Sequence, residues 1–178
     1  MRVAQREDQR KEATRLEGRL REALARAEGR AINWKQDAEG VWRAKVERSE
    51  ESTHDFEFMQ SLANYAQDHL INEIATSSSS SPTQGKDSSS LSFVLVVVSN
   101  PDPVWLNKTH QAGGAFLQIT SNPPDLAKQA GDGVKLALDG LGVKGRVKGG
   151  GAKGKFMGKV AGGWSAPDAD AAKGVVGE

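Results

Sequence analysis

The sequence predicts an α/β fold: a small mixed β-sheet with packed helices, preceded by a long N-terminal helix. Three observations predict it. Arg2 to Arg30 is a Pro-free run of good helix formers. Leu91-Ser92-Phe93-Val94-Leu95-Val96-Val97-Val98 is β-branched and apolar on both faces, as in a strand covered on both sides. Segments 54–71 and 123–139 carry apolar residues three and four apart, so strands and helices follow one another along the chain. The 178 residues suit one domain with an appendage. The expected organisation is a charged connecting or coiled-coil helix in 1–33, an α/β domain in 34–165 and a flexible tail in 166–178.

The first helix is expected over 3–30. Ala13, Leu16, Leu20, Ala23 and Ala27 recur at alternating steps of three and four, a short heptad seam built largely on alanine. Glu17 with Arg21 and Glu22 with Arg26 are spaced for ion pairs along it. Only Gly18 and Gly29 interrupt the helix formers. Gly40 reads as turn punctuation, and the alternation that follows predicts a strand over 41–47.

The second helix, 54–71, has Ser52 or Thr53 to cap its start and Asp55 and Glu57 in its first turn, where the helix dipole favours acids. Phe56, Met59, Ala63, Ala66 and Leu70 form its apolar stripe, broadened by Phe58, Leu62 and Tyr65. His54 reads as a residue near the cap and His69 as exposed near the helix end. Residues 76–90, mostly Ser, cannot bury apolar surface and are expected to form a flexible loop within the domain.

Strands are expected over 91–98 and 114–120, separated by a second loop holding Pro101, Pro103 and Gly113. Pro123-Pro124-Asp125 opens the third helix. Gly140 and Gly142 stop it. A last strand is expected over 154–160.

Charge is balanced overall, with 24 Lys+Arg against 23 Asp+Glu, but it is segregated. Residues 1–48 carry a net +4, 49–90 a net −6 and 91–178 a net +3. The balance excludes a globally basic nucleic-acid coat. The absence of Cys excludes a disulfide framework, a thiol nucleophile and any zinc site with a Cys ligand. No apolar run approaches the roughly 18 residues of a membrane span. The Arg-rich start lacks an apolar core and carries acids, unlike secretory or mitochondrial leaders. A cytoplasmic protein with no membrane partner is the expectation.

The most chemical stretch is Gly140 to Pro167, which holds no acidic residue. Lys144, Arg146, Lys148, Lys153, Lys155 and Lys159 supply positive charge. Gly149, Gly150 and Gly151 supply bare backbone able to approach an anion closely. A polyanion gains affinity from such a segment by counterion release. Phe156 or Trp164 offers a stacking face. Gly149-Gly150-Gly151-Ala152-Lys153-Gly154-Lys155 matches the P-loop spacing, but Phe156 stands where Ser or Thr would hold magnesium, and no good helix follows. No catalytic constellation is present: the serines cluster in low complexity, and His54 and His69 are too far apart for a helical metal pair. The expectation is no catalytic residue, no metal ligand and no cofactor in this chain.

Three features in order resemble the C-terminal part of alanyl-tRNA synthetase relatives, in particular the stand-alone alanyl-tRNA editing proteins of fungi. They are the charged helix Glu12 to Arg30, the segment Thr53-His54-Asp55-Phe56-Glu57-Phe58-Met59-Gln60-Ser61-Leu62, and the segment Val147-Lys148-Gly149-Gly150-Gly151-Ala152-Lys153-Gly154-Lys155-Phe156-Met157-Gly158-Lys159. The resemblance is to the DHH-associated domain with its connecting helix, and it covers most of residues 12–165. It implies a domain that binds tRNA, alanine tRNA in particular, in support of editing and translation fidelity, and that can dimerise. The family's zinc-dependent editing domain carries an H-x-x-x-H pair and a further Cys and His, which this sequence lacks. Related phosphoesterases carry Gly-Gly-Gly-His where Ala152 follows Gly151 here.

The expected function is therefore a tRNA-binding accessory domain without autonomous chemistry. Lys144, Arg146, Lys148, Lys153, Lys155 and Lys159 would carry the phosphate contacts, and Gly149 to Gly151 the close approach. Two alternatives belong to other classes. One is a fragment of an editing hydrolase whose zinc-bearing half lies elsewhere. The other is a module in which the N-terminal helix or the α/β domain forms a homodimer or docks a partner.

Overall fold

The computed structural model describes residues 2–49, 55–78, 91–100 and 114–176. The chain forms a mixed α/β sandwich. Its elements are α1 (Arg2–Arg30), β1 (Lys35–Gln36), β2 (Trp42–Arg48), α2 (Phe56–Ser78), β3 (Phe93–Ser99), β4 (Gly114–Asn122), α3 (Asp125–Asp139), β5 (Val147–Ala152), β6 (Lys155–Ala161) and α4 (Ala166–Val176). The six strands form one sheet in the order β1-β2-β3-β4-β6-β5. Only β2 and β3 run parallel, joined by the crossover through α2; every other neighbouring pair is antiparallel.

The strand alternation builds two cores. Phe93, Leu95 and Val97 of β3 face Met59, Leu62, Ala66 and Leu70 of α2. Val94, Val96 and Val98 face the other way, toward Ala127, Ala130, Val134 and Leu138 of α3 and Ala172 of α4. All seven residues of β3 are buried, as its unbroken apolar run requires.

The N-terminal helix departs from its expected seam. Its C-terminal part packs on α2 through Ala25 and Gly29. A Cβ on Gly29 would come within 2.9 Å of the Ala66 nitrogen and the Tyr65 Cβ, so glycine is what lets the two helices close. Arg21 pairs with Asp55 at 2.6 Å, and Glu28 forks onto the buried Arg48 at 2.6 and 3.0 Å. Leu16 and Leu20, the centre of the heptad seam, remain 53% and 61% exposed. At about 100° per residue they lie on the side of α1 opposite Ala25 and Gly29.

Two further regions depart from expectation. Residues 166–176, expected as tail, form α4, whose start is held by the Asp168 carboxylate. Asp168 accepts from the Ser165 backbone N–H at 2.9 Å and from its hydroxyl at 2.8 Å. Residues 147–152, part of the glycine-rich basic segment and outside the strand expected over 154–160, form strand β5. Helix α2 runs on to Ser78, so His69 is a half-buried mid-helix residue, 3.7 Å from Glu73. Asp55 caps α2 by accepting from the Phe58 N–H at 2.7 Å; the expected caps Ser52 and Thr53, His54, most of the Ser-rich segment and most of the second loop lie outside the described residues. Among the described residues no helix is long and apolar enough to cross a membrane.

Candidate nucleic-acid interface

The Gly/Lys segment folds as a two-stranded hairpin at the edge of the sheet. Lys153 and Gly154 both carry positive φ, 51° and 76°, as a two-residue type I′ turn demands. Strand β6 then alternates strictly: Phe156, Gly158 and Val160 are buried, while Lys155, Met157 and Lys159 are exposed. The G-x-x-x-x-G-K run is thus a strand, a turn and a strand, with no helix at its end.

The buried side of the hairpin belongs to the core. The Phe156 ring lies directly against Gly131 of α3, where an added Cβ would overlap it. Lys135 of α3 sits 5.0 Å over the same ring and donates to the Gly149 carbonyl at 2.9 Å. A Cβ on Gly149 would overlap the Met157 carbonyl and the Gly158 backbone, and one on Gly151 would lie 3.1 Å from the Lys155 carbonyl. These two glycines serve strand pairing and the seating of Phe156. Of the triplet, only Gly150 has open space where a Cβ would stand.

Among the described residues nothing covers the opposite side, where Lys148, Lys155, Met157 and Lys159 are exposed. Helix α2 lies over β3 and β4, and no described helix lies over β6 and β5 on that face. The sheet register places three rows there. Lys148, Lys159 and Phe116 stand side by side; then Gly150, Met157 and Gln118; then Ala152, Lys155 and Thr120. At about 3.3 Å per residue, the first and third rows are about 13 Å apart. Lys159 sits 4.9 Å over the Phe116 ring, itself packed 4.5 Å from Phe56 at the start of α2. Among the described residues no carboxylate lies within 4 Å of Lys144, Lys148, Lys153, Lys155 or Lys159. Lys144 is exposed in the loop after α3, and Lys153 at the hairpin tip.

Arg146 does not join this set. Its guanidinium forks onto Asp168 at 2.6 and 2.9 Å and also donates to the carbonyls of Ala161 and Gly163. The Asp168 hydrogen bond raises its pKa further. Burial pushes the Asp168 carboxyl up, but Arg146 and Ser165 outweigh it and hold the group below the usual Asp range. Arg146 is a strut between the hairpin base and α4.

Neither expected stacking ring is on the surface. Phe156 is fully buried, and Trp164 is buried with its indole N–H donating to Glu47 at 3.2 Å. The aromatic of the open face is Phe116, half-buried beneath Lys159. The signal that could have located this face is the period-two spacing of Lys155, Met157 and Lys159.

A second concavity of about 320 Å³ lies between α1 and α2, lined by Arg21, Glu22, Phe58 and Tyr65 among others. Three of its polar side chains already pair: Tyr65 donates to Glu22 at 2.8 Å, and Arg21 holds Asp55. Among the described residues no group of three or more His, Asp or Glu side chains is placed to hold a metal ion. No protein-family model, curated protein or solved structure matches the chain.

Proposed function

We propose that this chain is a nucleic-acid-binding module that holds tRNA by its phosphate backbone, on the open face of the β5–β6 hairpin. One observation carries the reading: Lys148, Lys155 and Lys159 project together from a sheet face that no described helix covers and no described acid neutralises. A buried sheet is normally closed on both sides, and three unpaired like charges on one face suit a polyanion. The resemblance to the DHH-associated domain of alanyl-tRNA editing proteins supports tRNA, and alanine tRNA within that class. Lys144 and Lys153 extend the positive field at the two ends of the hairpin. Binding and positioning, rather than chemistry, are what these residues offer.

Filter retention of alanine tRNA and of an unrelated tRNA at two salt concentrations tests this. The expected result is binding that weakens steeply with salt; a preference for alanine tRNA over the unrelated tRNA would support the editing-family resemblance in addition. No retention at low salt would sink the reading.

The exposed seam of α1 favours a second reading, in which Leu16, Leu20 and Leu24 dock a partner helix or a second copy. A mass that rises with concentration and falls in a Leu16→Glu/Leu20→Glu variant is its expected signature. A monomeric mass at all concentrations would remove the homodimer.

A further inference from the structure

Lys148 and Lys159 are directly opposite one another on β5 and β6. Side chains so paired have Cβ atoms about 5 Å apart, and like charges in that position oppose the pairing. Lys159 has Lys148 on one flank and the Phe116 ring, 4.9 Å from its ammonium, on the other. The next row along the face holds Gly150 and Met157, and Gln118 beneath them is fully buried. Among the described residues the face therefore presents paired lysines but no exposed amide or carboxylate and no fully exposed ring with which to read a base.

We propose that Lys148 and Lys159 jointly seat one phosphate, with Lys155 meeting the same chain about 13 Å further along, and that this face recognises a phosphate chain without reading bases. The proposal rests on the nucleic-acid reading above and specifies its ligand chemistry. An anion between the two ammonium groups converts a repulsive cross-strand pair into a bridge. The site then takes any linear phosphate polymer of sufficient length, and tRNA preference has to come from the overall shape of the RNA.

The test measures RNA affinity by fluorescence anisotropy across salt, with inorganic polyphosphate as competitor. It uses wild type, Lys148→Gln, Lys159→Gln and the double variant, each checked for an unchanged melting temperature. Polyphosphate should displace the RNA. The double variant should lower the salt slope by about one in total, because one phosphate contact is lost. A drop of about two would mean two independent contacts and would overturn the shared seat. RNA that binds wild type but resists polyphosphate would overturn the backbone-only claim while leaving the nucleic-acid reading standing. RNA that binds no variant and no wild type would overturn both.

Discussion

Phe156, Gly158 and Val160 on β6 face α3 and are buried, whereas Lys155, Met157 and Lys159, interleaved with them, are exposed on a face that no described helix covers. The same strand thus presents two unlike faces, separated only by the pleat. On the inner side, glycine is used for volume: Gly131 makes room for the Phe156 ring, and Gly149 for the neighbouring strand. On the outer side, glycine leaves Gly150 as flat floor between lysine rows. A glycine-rich, lysine-rich sequence is therefore not one feature but two, and substitutions on the two sides should affect different measurements.

The largest effect belongs to the inner side. Phe156→Ala empties the space against α3 and should cost about 3–5 kcal/mol in denaturant unfolding. Gly131→Ala adds the missing Cβ where the ring lies and should cost about 1–3 kcal/mol despite alanine's higher helix propensity. The pair should be coupled: Gly131→Ala should cost less in a Phe156→Leu background than in wild type. Equal costs in both backgrounds would mean that the ring and the glycine do not share that space.

The next effect falls at the hairpin base. Asp168 is fully buried and holds Arg146, the Ser165 N–H and the Ser165 hydroxyl. Asp168→Asn should cost about 3 kcal/mol, because it leaves the Arg146 guanidinium without its counter-charge. The sign with pH follows from the lowered folded-state pKa. The stabilisation is fully present above the unfolded Asp value, about 3.9, and is lost as pH falls through the folded value. Stability measured against pH should therefore drop in the acid range below about 4, and the Asp168→Asn variant should show a shallower drop. An unchanged acid limb would remove Asp168 from that role.

Four of the six strands, the two core helices and the basic segment were legible because periodicity reports burial directly. The apolar run at 91–98 and the stripes of α2 and α3 have one physical solution each. Three features were not legible for identifiable reasons. Three consecutive glycines carry almost no strand preference, so β5 exists because β6 pairs with it and Lys135 and Phe156 brace it. Helix α4 was announced by Ser165-Ala166-Pro167-Asp168, a capping signal that its short, alanine-rich apolar face obscured. The heptad seam of α1 is real as a pattern, yet the helix docks by Ala25 and Gly29, where the absence of side chains permits close approach. Of the candidate site residues, Arg146 pairs internally, and Gly149 and Gly151 face the core. Charge and composition alone cannot say toward which side of a pleat a residue points.

The smallest effect on stability, and the sharpest division between the two sides, belongs to Lys155. Its side chain is exposed, has no acidic partner among the described residues, and stands beside Ala152 and Thr120 across the sheet. Lys155→Gln should leave unfolding free energy within about 0.5 kcal/mol of wild type. The same substitution should weaken RNA binding uniformly across sequences and take about one from the salt slope. A core variant such as Phe156→Leu should do the reverse, lowering stability while leaving the slope of the folded protein intact. Should Lys155→Gln lower stability as a core variant does, the outer side would be part of the packing. Should it leave the salt slope untouched while Lys148→Gln lowers it, the ligand would be confined to the Lys148–Lys159 row rather than following β6 along the face.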